Sequence, residues 1–173
     1  MHELAEWDSF YVILGSSAGA LVGLQFVVIT LLAEHPPKRA AEGSQAFVTP
    51  TVVYFSAVLL ICALMRVPWP THGQFAGACG VAGLAGVIYV GVVFRKMLVQ
   101  KAYRPELEDW IFHLVLPLAA FAVIVIAAAE VNSHFLGAIF AIAGAVLLLL
   151  FTGIHNAWDG AVYHVLSRQD RRE

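Results

Sequence analysis

Charge is scarce in this sequence. Only 13 % of its 173 residues are charged, against roughly 25 % in an average soluble domain. The formal net charge is −2, so the chain offers no basic face to a nucleic acid. Long polar stretches are missing too, because the two longest, residues 34–45 and 95–109, are too short to form a hydrophobic core of their own. The sequence therefore excludes a separate soluble domain.

Cysteines and the residue patterns of familiar sites are few as well. The chain has only Cys62 and Cys79, both inside apolar stretches, and neither has the spacing of a zinc ligand. We expect two buried thiols, with a disulfide as the alternative because both would lie at a similar depth. The potassium-filter, zinc-protease and phosphate-loop motifs are missing, so no particular cofactor or metal is indicated.

Apolar residues make up 60 % of the chain. They fall into stretches of about 20 residues, the length that a helix needs to cross a bilayer. The first stretch has no basic residues before it, unlike a cleavable signal peptide, and the second begins with Thr49 and Pro50, which are typical of a helix start. The predicted spans are residues 10–33, 50–65, 74–94, 110–129 and 135–154, followed by an interfacial segment at 155–173. The predicted fold is all-α, a single polytopic membrane bundle of five helices over residues 1–173.

The basic residues predict how this bundle is oriented. With five spans, nine of the ten Lys and Arg residues fall on one side and Arg66 alone falls on the other. Because basic loops favour the cytoplasm, the N-terminus is predicted outside and the C-terminus inside. The tryptophans agree, since Trp7 and Trp69 would lie at the outer boundary and Trp110 and Trp158 at the inner one, as in an interfacial aromatic belt.

The first span carries small residues on one face and polar residues on another. Gly15, Gly19 and Gly23 form a GxxxGxxxG pattern, which lets helices approach closely in lipid. They could pack within the chain or between copies of it, and we expect a homo-oligomer. Ser17 and Gln25 lie away from the glycines, and a glutamine at that depth needs a partner. They could form an interhelical hydrogen bond or line a pore or cavity.

At the outer rim, Arg66 is the only basic residue, while Glu3, Glu6, Asp8 and Glu130 all lie there. We expect Arg66 to pair with one of these acids, and Glu130 lies at a matching depth. The alternative is an arginine that extends to the lipid headgroups without a partner.

A candidate proton or ion site lies at the inner rim. Asp109 and His113 are four residues apart at the start of the fourth span, as are His155 and Asp159 at the end of the fifth, so each pair shares a helix face. The two spans form a tight hairpin, so both pairs should reach the same depth. They could carry protons, bind a metal ion with each aspartate orienting a histidine, or make ordinary hydrogen bonds between helices. Further candidate members are Glu108, Asn156 and His164.

Two segments, WDSFYVILGSSAGALVGLQFVV (Trp7 to Val28) and FTGIHNAWD (Phe151 to Asp159), carry a resemblance, which extends to the LEDWIFH stretch before the fourth span. They resemble blocks found in a group of small bacterial membrane proteins with no known activity. The resemblance implies a multi-pass protein of the bacterial inner membrane. It implies no chemistry.

Three functions remain open from the sequence. The preferred one is a small channel or transporter subunit, homo-oligomeric, that moves an ion or small solute, because the chain has polar residues in its spans and no soluble domain. The second is a structural or accessory protein that binds another membrane protein through its small-residue faces. The third and least favoured is a membrane-embedded metal-binding enzyme, which would depend on the histidines and acids grouped at one level.

Overall fold

The computed structural model describes the backbone of residues 2–33, 41–99 and 107–169. These ranges contain no strand, and each long helix is long and apolar enough to cross a membrane. The prediction of an all-helical fold with five such helices is therefore confirmed. After a 3₁₀ turn at His2–Trp7, the helices are α1 (Asp8–Ala33), α2 (Ala41–Arg66), α3 (His72–Val99), α4 (Leu107–Glu130) and α5 (Phe135–Gln169).

Two helices extend further than the apolar stretches that predicted them. The apolar part of α2 begins at Thr49, but the helix itself begins at Ala41 and continues through Pro50. A proline inside a membrane helix is tolerated where neighbouring groups satisfy the backbone that it frees. The last helix is unbroken from Phe135 to Gln169, which agrees with the expectation that the last span continues as a helix into the interfacial segment.

The helices α2, α3, α4 and α5 form a closed bundle, and α1 lies on its outside. Around the bundle, α2 packs on α5, α5 on α4, α4 on α3 and α3 on α2, whereas α1 packs along α2 and barely touches α5. Large side chains are completely buried in the interior, among them Tyr54, Phe55, Phe121, Ile124 and Leu149. The interior is therefore filled with side chains at these positions.

Three glycines set how closely the helices approach. A methyl group at Gly86 of α3 would lie 2.1 Å from the ring of Phe121 in α4, and one at Gly153 of α5 would lie 2.5 Å from the ring of Phe55 in α2. At Gly83 the nearest atom would be a methyl carbon of Val125, at 2.9 Å. Close helix packing in this bundle therefore depends on the absence of a side chain at these positions.

Of the three glycines in the α1 pattern, only Gly15 lies at a close helix contact with the described residues. A methyl group at Gly15 would lie 3.1 Å from Cβ of Cys62 in α2, whereas no described residue lies within 4 Å of the same position at Gly19 or Gly23. Packing among the described residues therefore accounts for Gly15 and not for the other two. Self-association through Gly19 and Gly23 stays a prediction.

The bundle has two ends, which we name after one residue each. At the Arg66 end, α1, α3 and α5 begin and α2 finishes, whereas at the opposite end, the His155 end, α4 begins. The carboxylate in contact with Arg66 is that of Asp8. Glu130, the expected partner, instead faces Nδ1 of His134 at 3.2 Å. The pairing differs from the expectation because α1 packs along α2 and brings Asp8 to Arg66, whereas α4 packs on α3 and α5.

Both cysteines are buried free thiols. Cys62 lies against α1 at Gly15, and Cys79 is completely buried in α3. The structure therefore agrees with two packed thiols and not with a disulfide.

Candidate cation site

A π-helical turn at Ile111–Val115 interrupts α4. Its hydrogen bond runs from the N–H of Leu116 to the carbonyl of Ile111, five residues earlier. The next residue is Pro117, which has no N–H to donate. In a regular α-helix, residue 116 would donate to the carbonyl of Phe112 and residue 117 to that of His113. Because Leu116 donates to Ile111 instead and Pro117 has no N–H, both of these carbonyls lack the donor that a regular helix would supply.

Side chains of α2 and α5 donate to those two carbonyls. The hydroxyl of Tyr54 donates to the carbonyl of His113 at 2.9 Å, and Nδ2 of Asn156 donates to the carbonyl of Phe112 at 3.3 Å. Tyr54 and Asn156 are both buried, where an unpaired carbonyl would be costly. The π turn is thus held from both sides, and this fixes the start of α4 against α5.

Three side chains converge just beyond this turn, at the His155 end. Nε2 of His155 lies 2.9 Å from a carboxylate oxygen of Asp159 and 3.3 Å from one of Glu108. The three candidate ligand atoms all lie within 4.8 Å of one another. The side chain of His155 is 28 % exposed, that of Asp159 51 % and that of Glu108 64 %. The two carboxylates are therefore accessible from outside the bundle, whereas Nε2 of His155 is itself buried.

The imidazole of His155 is held by an aromatic stack. Its ring lies almost parallel to that of Phe112, at an angle of 19° and with the ring centroids 3.5 Å apart. The backbone of Phe112 is in turn bound by Asn156, the residue next to His155 in α5. Because the stack fixes the plane of the imidazole, it also fixes the direction in which Nε2 meets the two carboxylates.

The charges in this cluster favour cations. Two carboxylates face one imidazole, so acidic side chains outnumber basic ones in the cluster. Acidic side chains that lie close together attract cations. The arrangement can therefore bind a proton or a metal cation.

The structure brings together some of the four residues predicted for this site. His155 and Asp159 are in contact as expected. His113 is buried, and the charged groups that act on it include Asp109, Asp159 and His155. The second carboxylate among the converging ligand atoms belongs to Glu108.

Glu108, one residue before the predicted Asp109, supplies the second carboxylate of the cluster. A π turn directly follows these residues, so the spacing of a regular α-helix, on which the prediction depends, does not continue through this segment. Pro117 is the sequence feature that could have indicated the interruption. The side chain of His164, the remaining candidate, lies outside the described residues.

Ser17 and Gln25, the polar residues predicted to line a pore or cavity, lie in α1 and are not members of the cluster. The hydroxyl of Ser17 donates to the carbonyl of Ile13, 2.8 Å away in the same helix. Gln25 is buried, two to three helical turns beyond Gly15. A shallow groove in the described part of the chain is lined by residues of α4, α5 and the turn between them, at the Arg66 end. Ser17 and Gln25 do not contribute to it.

Comparisons with protein-family models, with curated proteins and with solved structures gave no match.

Proposed function

We propose that the protein is a homo-oligomeric channel or transporter subunit of the bacterial inner membrane that moves a cation. The observation that carries this proposal is the convergence of Glu108, His155 and Asp159 at one end of a bundle of membrane-length helices. In the proposed orientation the N-terminus is outside, and the His155 end faces the cytoplasm. The cluster is then the site at which a cation enters or leaves the protein.

Buried polar atoms deeper in α5 support this proposal. Thr152 and Asn156 are one helical turn apart, 1 % and 5 % exposed. Oγ1 of Thr152 and Oδ1 of Asn156 have no hydrogen-bond partner among the described residues. Such atoms are costly in an apolar interior, and they could stabilise a water molecule or a cation beyond the cluster. They extend the polar region from the His155 end towards the middle of the bundle.

The filled interior of the bundle restricts the route that a cation would take. Because large side chains fill the centre of the four-helix bundle, the proposed path runs along a boundary between subunits or opens through a rearrangement of helices. The outer position of α1 suits an assembly, because this helix leaves Gly19 and Gly23 uncovered and packs mainly on α2.

The test is cation flux into liposomes that contain the purified full-length protein. We expect flux of protons or of a metal cation in the wild type. Asp159→Asn should reduce the flux by about tenfold or more, because the aspartate is a direct member of the site, and even groups that only orient a site can contribute that much. The matched control is Glu130→Gln, a carboxylate beside a histidine at the opposite end. Equal flux in the two variants, or none above empty liposomes, would contradict the proposal.

A second candidate function is that of an accessory protein bound to another membrane protein. The observation in its favour is the same uncovered stretch of α1 at Gly19 and Gly23, because small residues on an open face allow close helix contacts. Its test is purification from native membranes by a tag on this chain. A stoichiometric partner that Gly19→Leu releases, together with no cation flux, would favour this function over transport.

A further inference from the structure

The three converging ligand atoms are one imidazole nitrogen and two carboxylate oxygens. This combination suits first-row divalent transition metals. Imidazole binds zinc, iron, nickel and copper, and each carboxylate contributes a negative charge that attracts the ion. Calcium takes six or more oxygen ligands and magnesium keeps several waters around oxygen ligands. The histidine at the centre of the cluster therefore favours a transition metal over either of those ions.

Two of the three separations between the ligand atoms fit the same metals. Ligands about 2.1 Å from a metal ion lie about 3.0 Å apart along an octahedral edge and about 3.4 Å apart along a tetrahedral edge. Nε2 of His155 lies 2.9 Å from the oxygen of Asp159 and 3.3 Å from that of Glu108. A metal ion could therefore be bound with small movements of the two carboxylates, both of which are more than half exposed.

The three ligands also differ in how firmly the surrounding structure holds them. This difference suits a site that binds an ion and releases it again. His155 is fixed by its stack on Phe112, and the turn that carries Phe112 is tied to α5 by Asn156. Glu108 and Asp159 are exposed at the rim. Surroundings that orient a ligand contribute much to metal affinity, whereas exposed carboxylates leave room for water ligands and for exchange.

We propose that Glu108, His155 and Asp159 bind a divalent first-row transition-metal ion, with water completing its coordination. The inference rests on the proposed function, for which it names the class of cation. The competing explanation of the cluster is a protonated imidazole between two carboxylates, which requires no metal. The two explanations differ in whether the full-length protein binds one metal ion per chain at this end.

The experiment is a titration of purified full-length protein in detergent with Co²⁺, followed by the visible absorption of the bound ion. We expect saturation at one Co²⁺ per chain and competition by Zn²⁺. His155→Ala, Glu108→Gln and Asp159→Asn should each weaken binding by about tenfold or more, as expected for groups that bind or orient a metal. The matched control is His134→Ala, which removes the histidine of the Glu130 pair at the Arg66 end and should leave the titration unchanged.

The melting temperature and elution volume of each variant show whether it is folded. The carboxylate variants keep side-chain size at exposed positions, so they test the site even if the histidine variant is unstable. No saturable binding, or binding that all three variants retain, would overturn the metal site. Cation flux with no metal binding would support the proposed transport and contradict the metal site. Co²⁺ binding without flux would support the metal site and contradict the proposed transport.

Discussion

Replacing Gly86 with alanine should weaken the packing of α3 on α4. The new methyl group would lie 2.1 Å from Cδ1 of Phe121, far inside the contact distance of about 3.5 Å between carbon atoms. The ring of Phe121 is 1 % exposed and packs near Tyr54, with ring centroids 6.4 Å apart, so it has little room to move away. Either the helices separate or the ring adopts a strained rotamer.

The expected net loss of stability is up to about 2 kcal/mol. Overpacking of a well-packed core costs about 1–3 kcal/mol, and the change from glycine to alanine in a helix returns up to about 1 kcal/mol. The matched control is Gly91→Ala in the same helix, where no described residue lies within 4 Å of the new methyl group, so stability should stay the same or rise slightly. The assay is reversible unfolding of the purified protein in mixed micelles, followed by tryptophan fluorescence. Equal stability of the two variants would refute the close contact between Gly86 and Phe121.

Three further predictions concern the π turn, α1 and the topology. Tyr54→Phe should lower the free energy of unfolding by about 1–3 kcal/mol, because the buried carbonyl of His113 loses its donor, and an unchanged value in the same assay would contradict this bond. Gly19→Leu should leave the unfolding of the single chain intact, since the site is open, but should reduce the oligomer size measured by light scattering; an unchanged size would show that this face contacts lipid. In whole cells, a cysteine at Leu107 should react only with reagents that reach the cytoplasm and one at Gly73 only with external reagents, and the reverse pattern would contradict the orientation.

The number of long helices could be predicted because the length of an apolar stretch is a local property of the chain. Each predicted span lies within one of the five observed helices. The start of α2 could not be predicted in the same way, since Pro50 looks like a helix start and the chain is already helical at Ala41. The part of α2 before the proline is polar, so the hydropathy of the sequence does not indicate that this part is helical.

Contacts within one helix could be predicted better than contacts between helices. His155 and Asp159 are in contact as predicted, because four residues separate them along one helix. The carboxylate that α4 contributes is that of Glu108 and not of the predicted Asp109, in a segment where a π turn interrupts the regular helix. Arg66 contacts Asp8 because of the order of the helices around the bundle, which depends on packing between segments far apart in the chain.

The binding of a metal ion by Glu108, His155 and Asp159 is tested most directly by diffraction from crystals of the protein grown with Mn²⁺. Anomalous scattering identifies the ion and places it independently of any activity. We predict one strong peak at the His155 end, about 2.0–2.3 Å from Nε2 of His155 and from one oxygen of each carboxylate, as for other ligands of these metals. A map with no peak there, or with its peak beside Glu130 and His134 at the Arg66 end, would contradict the proposed site.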